Sequence, residues 1–335
     1  MEGSPRPGRG WRRAVGLLLV GPMLGATSVG SLTAIPFIGL ALVLGARRRG
    51  AMVAAGLAVV VAIGGITRGS MWHLERGWAV LLAGWFVSLT LMSPTSGFFS
   101  RALGAVAGAF AMVTVFLVAQ PGSWAHVDWV ISQGLMDGAS DSMTALTALM
   151  RRLAADPEAA LPAGLVNTLY QAAEQQGRAF PALLGLSSVA ALGVAWWGYV
   201  RLSRGEETGL RPLRDFRFND HLVWLFVAGV LVLVLGTFEG AGRLVPVLGT
   251  LEGAERAGTN IVIFMGGLYA LRGLAVVAFL SGGTSLTGLI LVLLVFLLLP
   301  PVLLIGALVV GLGDTWLDLR SRVETLVGNN DGRGG

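Results

Sequence analysis

Cysteine and lysine are both absent from this sequence of 335 residues. Without cysteine, disulfides, thiolate metal sites and cysteine nucleophiles are excluded. Without lysine, so are Schiff bases, Ser-Lys dyads and the Walker lysine of ATPases. The three histidines form no HExxH pattern, and no G-x-S-x-G pattern occurs. We therefore expect no enzyme activity, no metal site and no cofactor.

Charge is also scarce, because charged residues make up 13% of the chain and apolar residues 54%. Soluble domains contain roughly 25% charged residues. The mean hydropathy of +0.74 points to a membrane protein. All 24 basic residues are arginines, and they stand in short clusters beside apolar segments, as topology signals do. We prefer this interpretation to nucleic-acid binding, the alternative that a basic chain suggests.

Apolar segments of about 20 residues, the length needed to cross the hydrocarbon layer, recur along the chain. Residues 14–45 are too long for one span and are interrupted by "GATSVGS". Arginines at both ends favour a hairpin of two short helices with both ends in the cytoplasm. A cleaved signal peptide over residues 1–28 is the alternative. Further spans are predicted at 51–66, 77–92, 102–119, 180–200, 221–237, 259–281 and 285–312.

The predicted fold is an all-α polytopic transmembrane helical bundle of about 8–10 spans. The number depends on whether the last segment is split near Leu299, Pro300 and Pro301, which would return the C-terminus to the cytoplasm. The expected parts are a cytoplasmic tail (1–13), N-terminal transmembrane helices (14–119), an extracytoplasmic amphipathic helical segment (120–179), C-terminal transmembrane helices (180–313) with a cytoplasmic loop (201–220), and a C-terminal tail (314–335).

The segment before residue 180 is assigned to the exterior because it carries six acids against three arginines. Its apolar residues recur at helical spacing in two runs. The first run starts after the capping candidates Ser140 and Asp141 and ends at Asp156, and the second starts near Pro162. Both are too polar to span. They form either a surface segment resting on the membrane or a lid over an exterior cavity.

Glycine occurs 49 times, and several glycines repeat at small-xxx-small spacing inside predicted spans. This spacing lets two helix backbones approach closely. We assign helix packing to Gly21 with Gly25 and to Gly104 with Gly108. A face for a partner protein is the alternative for the same residues.

Arg272 stands in the apolar run "GGLYALRGLAVVAF" without a nearby acid. Such a charge either snorkels to the cytoplasmic interface or faces the bundle interior, where it needs acceptors. We expect it to face the interior and to bind backbone carbonyls near Pro300 or a polar or anionic ligand. Asn260, on the same predicted span, is the second tentative ligand-binding residue.

The last span is followed by "GLGDTWLDLR", which contains Asp314, Trp316, Asp318 and Arg320. We expect this motif to lie beyond the span and to contact another cytoplasmic or interfacial segment, with "RPLRDFRFND" (211–220) as the candidate. A solvated helix end is the alternative. Asp220 is likewise placed at a span end, so no carboxylate is expected inside a span.

Three stretches resemble the YybS-like family of bacterial integral membrane proteins: the hairpin ending in "LGARRRG", the span "NIVIFMGGLYALRGLAVVAF" and the closing "GLGDTWLDLR". That family is distantly similar to the substrate-binding (S) subunits of energy-coupling-factor transporters. The resemblance implies a multi-pass protein of the bacterial inner membrane that binds a small molecule and works with other membrane subunits and an ATPase module.

Two functions follow from these observations. The first is a small-molecule-binding membrane component of a transporter, with Asn260 and Arg272 in its cavity. The second is a membrane scaffold or assembly protein that uses its glycine faces and its charged loop. The lipid bilayer is the expected environment of both, and nucleic acid is expected for neither.

Overall fold

A computed structural model describes residues 28–45, 49–63, 69–120, 122–154, 163–201, 216, 218–236, 251–280, 299–318 and 322. Ten α-helices occur among them, and these described residues contain no strand. The helices are α1 (Ser28–Leu44), α2 (Arg49–Ile63), α3 (Ser70–Met92), α4 (Phe98–Ala119), α5 (Ser123–Ala154), α6 (Ala163–Arg178), α7 (Phe180–Tyr199), α8 (Val223–Gly236), α9 (Leu251–Leu280) and α10 (Pro300–Leu317). A short 3₁₀ turn, Asp220–Leu222, leads directly into α8.

Four of these helices are long and apolar enough to cross a membrane, namely α3, α4, α7 and α9 from Gly253. Shorter apolar helical stretches lie in α1, α2, α10 and the segment Asp220–Leu235. Large apolar side chains are exposed on their outer faces, among them Val118 at 78% and Val309 at 63%. An exposed apolar surface of this kind suits contact with lipid rather than water. The all-α membrane helical bundle is therefore confirmed.

The first compact unit comprises 1–177 and 187–210. Its core lies around α3, where Leu82 and Phe86 are completely buried. The Trp78 indole donates a hydrogen bond of 2.9 Å to the hydroxyl of Ser188, which is also buried. Gly45 ends α1 with a φ of +83°, a conformation that suits glycine, and its carbonyl accepts a hydrogen bond from the Tyr199 hydroxyl.

The second compact unit comprises 178–186 and 211–335. Its centre is α9, which packs against α8 and α10. Leu268, Tyr269 and Arg272 on α9 are completely buried. This helix therefore supplies both the apolar core of the unit and a charge within it.

Several helices extend beyond the predicted spans, because apolar length marks a span but does not limit a helix. Helix α3 begins at Ser70 rather than 77, since its early polar residue Arg76 is satisfied by the Ala62 carbonyl at 2.9 Å and by the Trp72 ring at 4.1 Å. Helix α9 begins at Leu251 rather than 259.

The final helix also departs from the prediction. Helix α10 begins at Pro300, a residue suited to a first helical position because it needs no N–H acceptor there. It continues to Leu317, so the boundary predicted at 314 falls inside the helix. The backbone N–H of Asp318 closes the end by donating to the Asp314 carbonyl. Residues 281–298, which contain half of the predicted last span, lie outside the described residues.

The segment assigned to the exterior contains two amphipathic helices, α5 and α6. Helix α6 begins just after Pro162, as predicted. Helix α5 starts at Ser123, so the predicted caps Ser140 and Asp141 lie within it. The hydroxyls of Ser142 and Thr144 donate to carbonyls four residues earlier. These local hydrogen bonds accommodate polar residues in a helix interior, where we had expected a helix start.

Candidate functional site

Arg272 is completely buried, eight residues before the end of α9 at Leu280. The prediction that it faces the interior is confirmed, and a snorkelling arginine is excluded in this structure. A buried guanidinium needs hydrogen-bonded counterions, because an unpaired charge in a low-dielectric interior is very costly. The partners of Arg272 therefore define the site.

Two carboxylates bind this guanidinium. The Nε atom donates to Oδ2 of Asp314 at 3.0 Å, and Nη1 donates to Oδ1 of Asp220 at 2.6 Å. The predicted backbone acceptors near Pro300 were wrong, since among the described residues the guanidinium donates to side-chain carboxylates. The expectation that no carboxylate enters the spans was also wrong, because α10 extends past residue 313 and carries Asp314 into the core.

The two carboxylates differ sharply in exposure. The Asp314 side chain is 0% exposed, whereas that of Asp220 is 57% exposed. Charges in water interact weakly and exchange partners readily, whereas a buried pair is held by its surroundings. Asp314 is therefore the fixed counterion of Arg272, and Asp220 is the one that water or a solute can replace.

Close backbone packing brings Asp314 to Arg272. A Cβ atom added to Gly273 would overlap the carbonyl oxygen of Ala307, and one added to Gly311 would overlap the carbonyl oxygen of Tyr269. Helices α9 and α10 thus meet backbone to backbone, a contact that only small residues permit. Asp314 follows Gly311 by three residues and so lies on the adjoining turn of α10.

Asp220 is positioned by the turn that begins α8. The side chain of Asn219 accepts a hydrogen bond of 3.0 Å from the backbone N–H of His221 and caps this turn. Phe218, two residues before Asp220, packs its ring 5.0 Å from that of Tyr269 and 5.5 Å from the Arg272 guanidinium. Phe218 therefore forms an aromatic wall beside the charged groups.

Two buried donors in this centre lack a hydrogen-bond partner among the described residues. They are Nη2 of Arg272 and the hydroxyl of Tyr269, both buried without a hydrogen-bond partner. Thr315 lies beside the Tyr269 hydroxyl, but no well-aligned hydrogen bond joins the two. Buried unsatisfied donors are uncommon and costly, at about 1–3 kcal/mol each. We define Arg272, Asp220, Asp314, Tyr269 and Phe218 as the Arg272 centre.

Asn260 does not join this centre. It precedes Arg272 by 12 residues, about 18 Å along the helix. Its side-chain oxygen accepts from the backbone N–H of Ala182 at 2.9 Å, and its amide nitrogen donates to the carbonyls of Arg178 and Arg256. These bonds tie α9 to the start of α7. A ligand-binding role for Asn260 stays a prediction, and the proposal below does not use it.

The predicted packing glycines fall partly within the described residues. A Cβ atom at Gly108 would lie 2.6 Å from the Trp85 ring, and one at Gly104 would lie 3.0 Å from Leu89. Both glycines of α4 therefore face α3 within one unit. Gly21 and Gly25 lie outside the described residues.

The C-terminal motif divides into a buried and an exposed part. Asp314 is 1% exposed, whereas Trp316 is 67% exposed. Asp318 adopts a left-handed conformation with φ of 41° at the end of α10, and Arg320 lies outside the described residues. Arg272 binds both Asp314 of this motif and Asp220, the last residue of the predicted partner segment 211–220. Direct contact between the motif and that segment stays a prediction.

Sequence reasoning missed Asp220, Tyr269 and Phe218 as members of the centre. Asp220 lies 52 residues from Arg272, and Asp314 lies 42 residues away. A single sequence carries no signal for such distant pairing. The available signal was local, because Tyr269 precedes Arg272 by three residues and so shares its helix face. Among the described residues, no cluster of histidine, aspartate and glutamate is suited to a metal ion.

The chain belongs to the DUF2232 family, whose description is "Predicted membrane protein", and the family match covers residues 15–315. This stretch includes Asp220, Arg272 and Asp314, so the whole Arg272 centre lies within the family region. No curated protein matches the chain, and no solved structure does.

Proposed function

We propose that this chain is the small-molecule-binding membrane component of a transporter, and that Arg272 recognises an anionic or carbonyl oxygen of the transported molecule. The proposal rests on the burial of the Arg272 guanidinium and on its hydrogen-bond partners. It is completely buried, its Nη2 atom has no partner among the described residues, and its second carboxylate is largely exposed. Ionisable groups inside membrane helices commonly mark such binding sites.

Binding would proceed by exchange of counterions. A carboxylate or phosphate of the solute would replace Asp220 on Nη1 and would also accept from the unpaired Nη2. Two parallel hydrogen bonds to one guanidinium are stronger and more specific than one. Asp314 would stay on Nε and hold the side chain in place. Tyr269 and Phe218 would contact the rest of the solute.

The resemblance to the YybS-like family and to S subunits of energy-coupling-factor transporters supports the same function. On that resemblance we propose that the chain resides in the bacterial inner membrane and works with a second membrane subunit and an ATPase module. The absence of lysine agrees with this division of labour, because this chain has no Walker lysine and ATP hydrolysis must come from a partner.

Mass spectrometry of small molecules released from the detergent-purified protein tests the proposal. We expect an anionic molecule in the wild-type preparation and its loss from Arg272→Leu. Arg152→Gln is the matched control, because Arg152 is an exposed arginine on α5. An equal amount of the molecule in wild type and Arg272→Leu would contradict the proposed role.

A membrane scaffold is the competing function, and one observation favours it. The ion pairs of Arg272 join α9 to α10 and to the start of α8, as a purely structural clamp would. A scaffold needs no solute at this centre. Under that function Arg272→Leu would lower stability, while no small molecule would be recovered from any variant.

A further inference from the structure

A second buried arginine lies in the other compact unit. Arg101 occupies the first turn of α4 and is only 8% exposed. Its guanidinium carbon stands 4.8 Å from the centre of the Trp196 ring, and its Nε atom is buried without a hydrogen-bond partner. Within the part of the chain that the structure describes, this cation has an aromatic neighbour but no hydrogen-bond acceptor.

The contrast with Arg272 makes Arg101 unusual. Arg272 has two carboxylates, whereas Arg101 forms no ion pair with any residue that the structure describes. A cation–π contact offsets only part of the cost of burying a guanidinium, at about 0.5–2 kcal/mol. An anion that is not part of the protein would accept hydrogen bonds from the guanidinium of Arg101 and neutralise its charge.

The start of α4 is itself suited to an anion. Its N-cap is Gly97, which has no side chain to cap the backbone N–H groups of the first turn. Side chains on a helix lean toward its N-terminus, a direction that favours an anion shared by the Arg101 guanidinium and the first turn. The positive end of the helix dipole adds to the attraction for negative charge. The guanidinium and the helix end thus favour the same ligand.

The surroundings place this site at a membrane boundary. Residues 93–97 form a polar turn between two helices of membrane-spanning length, α3 and α4. Just before the turn, Leu91 and Met92 expose 55% and 78% of their surface. Next to Trp196 in the chain, Trp197 is 49% exposed. The guanidinium carbon of Arg201 lies 5.4 Å from the centre of the Trp197 ring. Apolar surface beside exposed tryptophan and arginine is typical of the level of lipid headgroups.

We propose that Arg101 and the N-terminus of α4 bind the phosphate of an anionic phospholipid. The phosphate would accept from the guanidinium and from the backbone N–H groups of the first turn, while the acyl chains would lie on the exposed apolar side chains of α3. This site is independent of the Arg272 centre and of any transport function.

Native mass spectrometry with added dioleoyl phosphatidylglycerol tests the site on the detergent-purified chain. We expect wild type and Arg152→Gln to retain the lipid, and Arg101→Gln to bind it roughly tenfold more weakly, the scale of one charge-assisted hydrogen bond. Arg101→Lys keeps the charge and should retain most of the binding. Equal lipid retention by Arg101→Gln and wild type would overturn the proposal.

Thermal unfolding supplies a second readout that separates a lipid from a free anion. Phosphatidylglycerol should raise the midpoint of wild type more than phosphatidylcholine does, and this difference should vanish in Arg101→Gln. Inorganic phosphate at the same concentration should produce no Arg101-dependent shift. A shift of equal size with inorganic phosphate would refute the lipid assignment, as would an undiminished lipid effect in Arg101→Gln.

Discussion

Removing each carboxylate of the Arg272 centre in turn should have very different costs. Asp314→Ala and Asp220→Ala both delete an acceptor of the same guanidinium, at 3.0 Å and 2.6 Å respectively. By distance alone, Asp220→Ala would lower the stability more, because its hydrogen bond is the shorter one. Exposure reverses the order, because Asp314 is 0% exposed and Asp220 is 57% exposed.

The magnitudes follow from that difference. Deleting Asp314 leaves a buried charge without its fixed partner, which costs about 3–5 kcal/mol. Deleting Asp220 removes a pair in contact with water, and such pairs contribute about 0–1 kcal/mol. Combining Asp314→Ala with Arg272→Met removes the charge as well as its partner. This double variant should recover most of the stability lost by Asp314→Ala alone.

The assay is unfolding of the purified variants in mixed micelles by increasing dodecyl sulfate, followed by circular dichroism. We expect the free energy of unfolding to fall by at least about 2 kcal/mol more for Asp314→Ala than for Asp220→Ala, from the ranges given above. Equal losses for the two variants would refute the argument from burial. So would a double variant that is less stable than Asp314→Ala, since the buried charge would then not be the cause.

Three further results are expected. Gly108→Leu should destabilise the chain by about 1–3 kcal/mol, because the larger side chain overpacks against the facing indole. Gly84→Leu should not, because no atom lies within 4 Å of its Cβ position. The expected result is a lower unfolding midpoint for Gly108→Leu, and equal midpoints for the two variants would contradict it. Gly273→Ala should separate α9 from α10 and lower the unfolding midpoint. Gly306→Ala should leave the midpoint unchanged, because no atom lies within 4 Å of its Cβ position. Equal midpoints for the two variants would contradict the backbone contact between α9 and α10. A cysteine at Met150 should react with an impermeant thiol reagent from outside the cell, and reaction from the cytoplasm alone would overturn the predicted topology.

Apolar length was sufficient to predict most of the helices. Helices α4 and α7 begin and end within a few residues of the predicted spans, because their sequences are apolar over most of their length. Helices α3 and α9 both start before the predicted spans. In α3 the early polar side chain Arg76 is satisfied by a neighbouring carbonyl and ring. Apolar length predicts which segment crosses the hydrocarbon layer. It does not predict where a helix ends, because a helix continues as long as its backbone hydrogen bonds do.

The candidate site was predictable only in part. Arg272 was predicted as a site residue because a single arginine in an apolar run is costly to insert into a membrane and commonly marks a functional site. Its acceptors could not be predicted, because Asp220 and Asp314 each appeared to end a span and lie far from it in sequence. The approach of Asp314 depends on Gly273 and Gly311, whose importance emerges only when the two helices are placed against each other.

A thermal-shift screen of small carboxylates and phosphorylated molecules tests whether the Arg272 centre binds an anionic solute, as proposed above. The screen compares wild type with the double variant Arg272→Met/Asp314→Ala, which lacks the guanidinium but should remain folded. We expect at least one anionic compound to raise the unfolding midpoint of wild type and to leave that of the double variant unchanged. The same shift in both proteins, or no shift in wild type with any anionic compound, would contradict it.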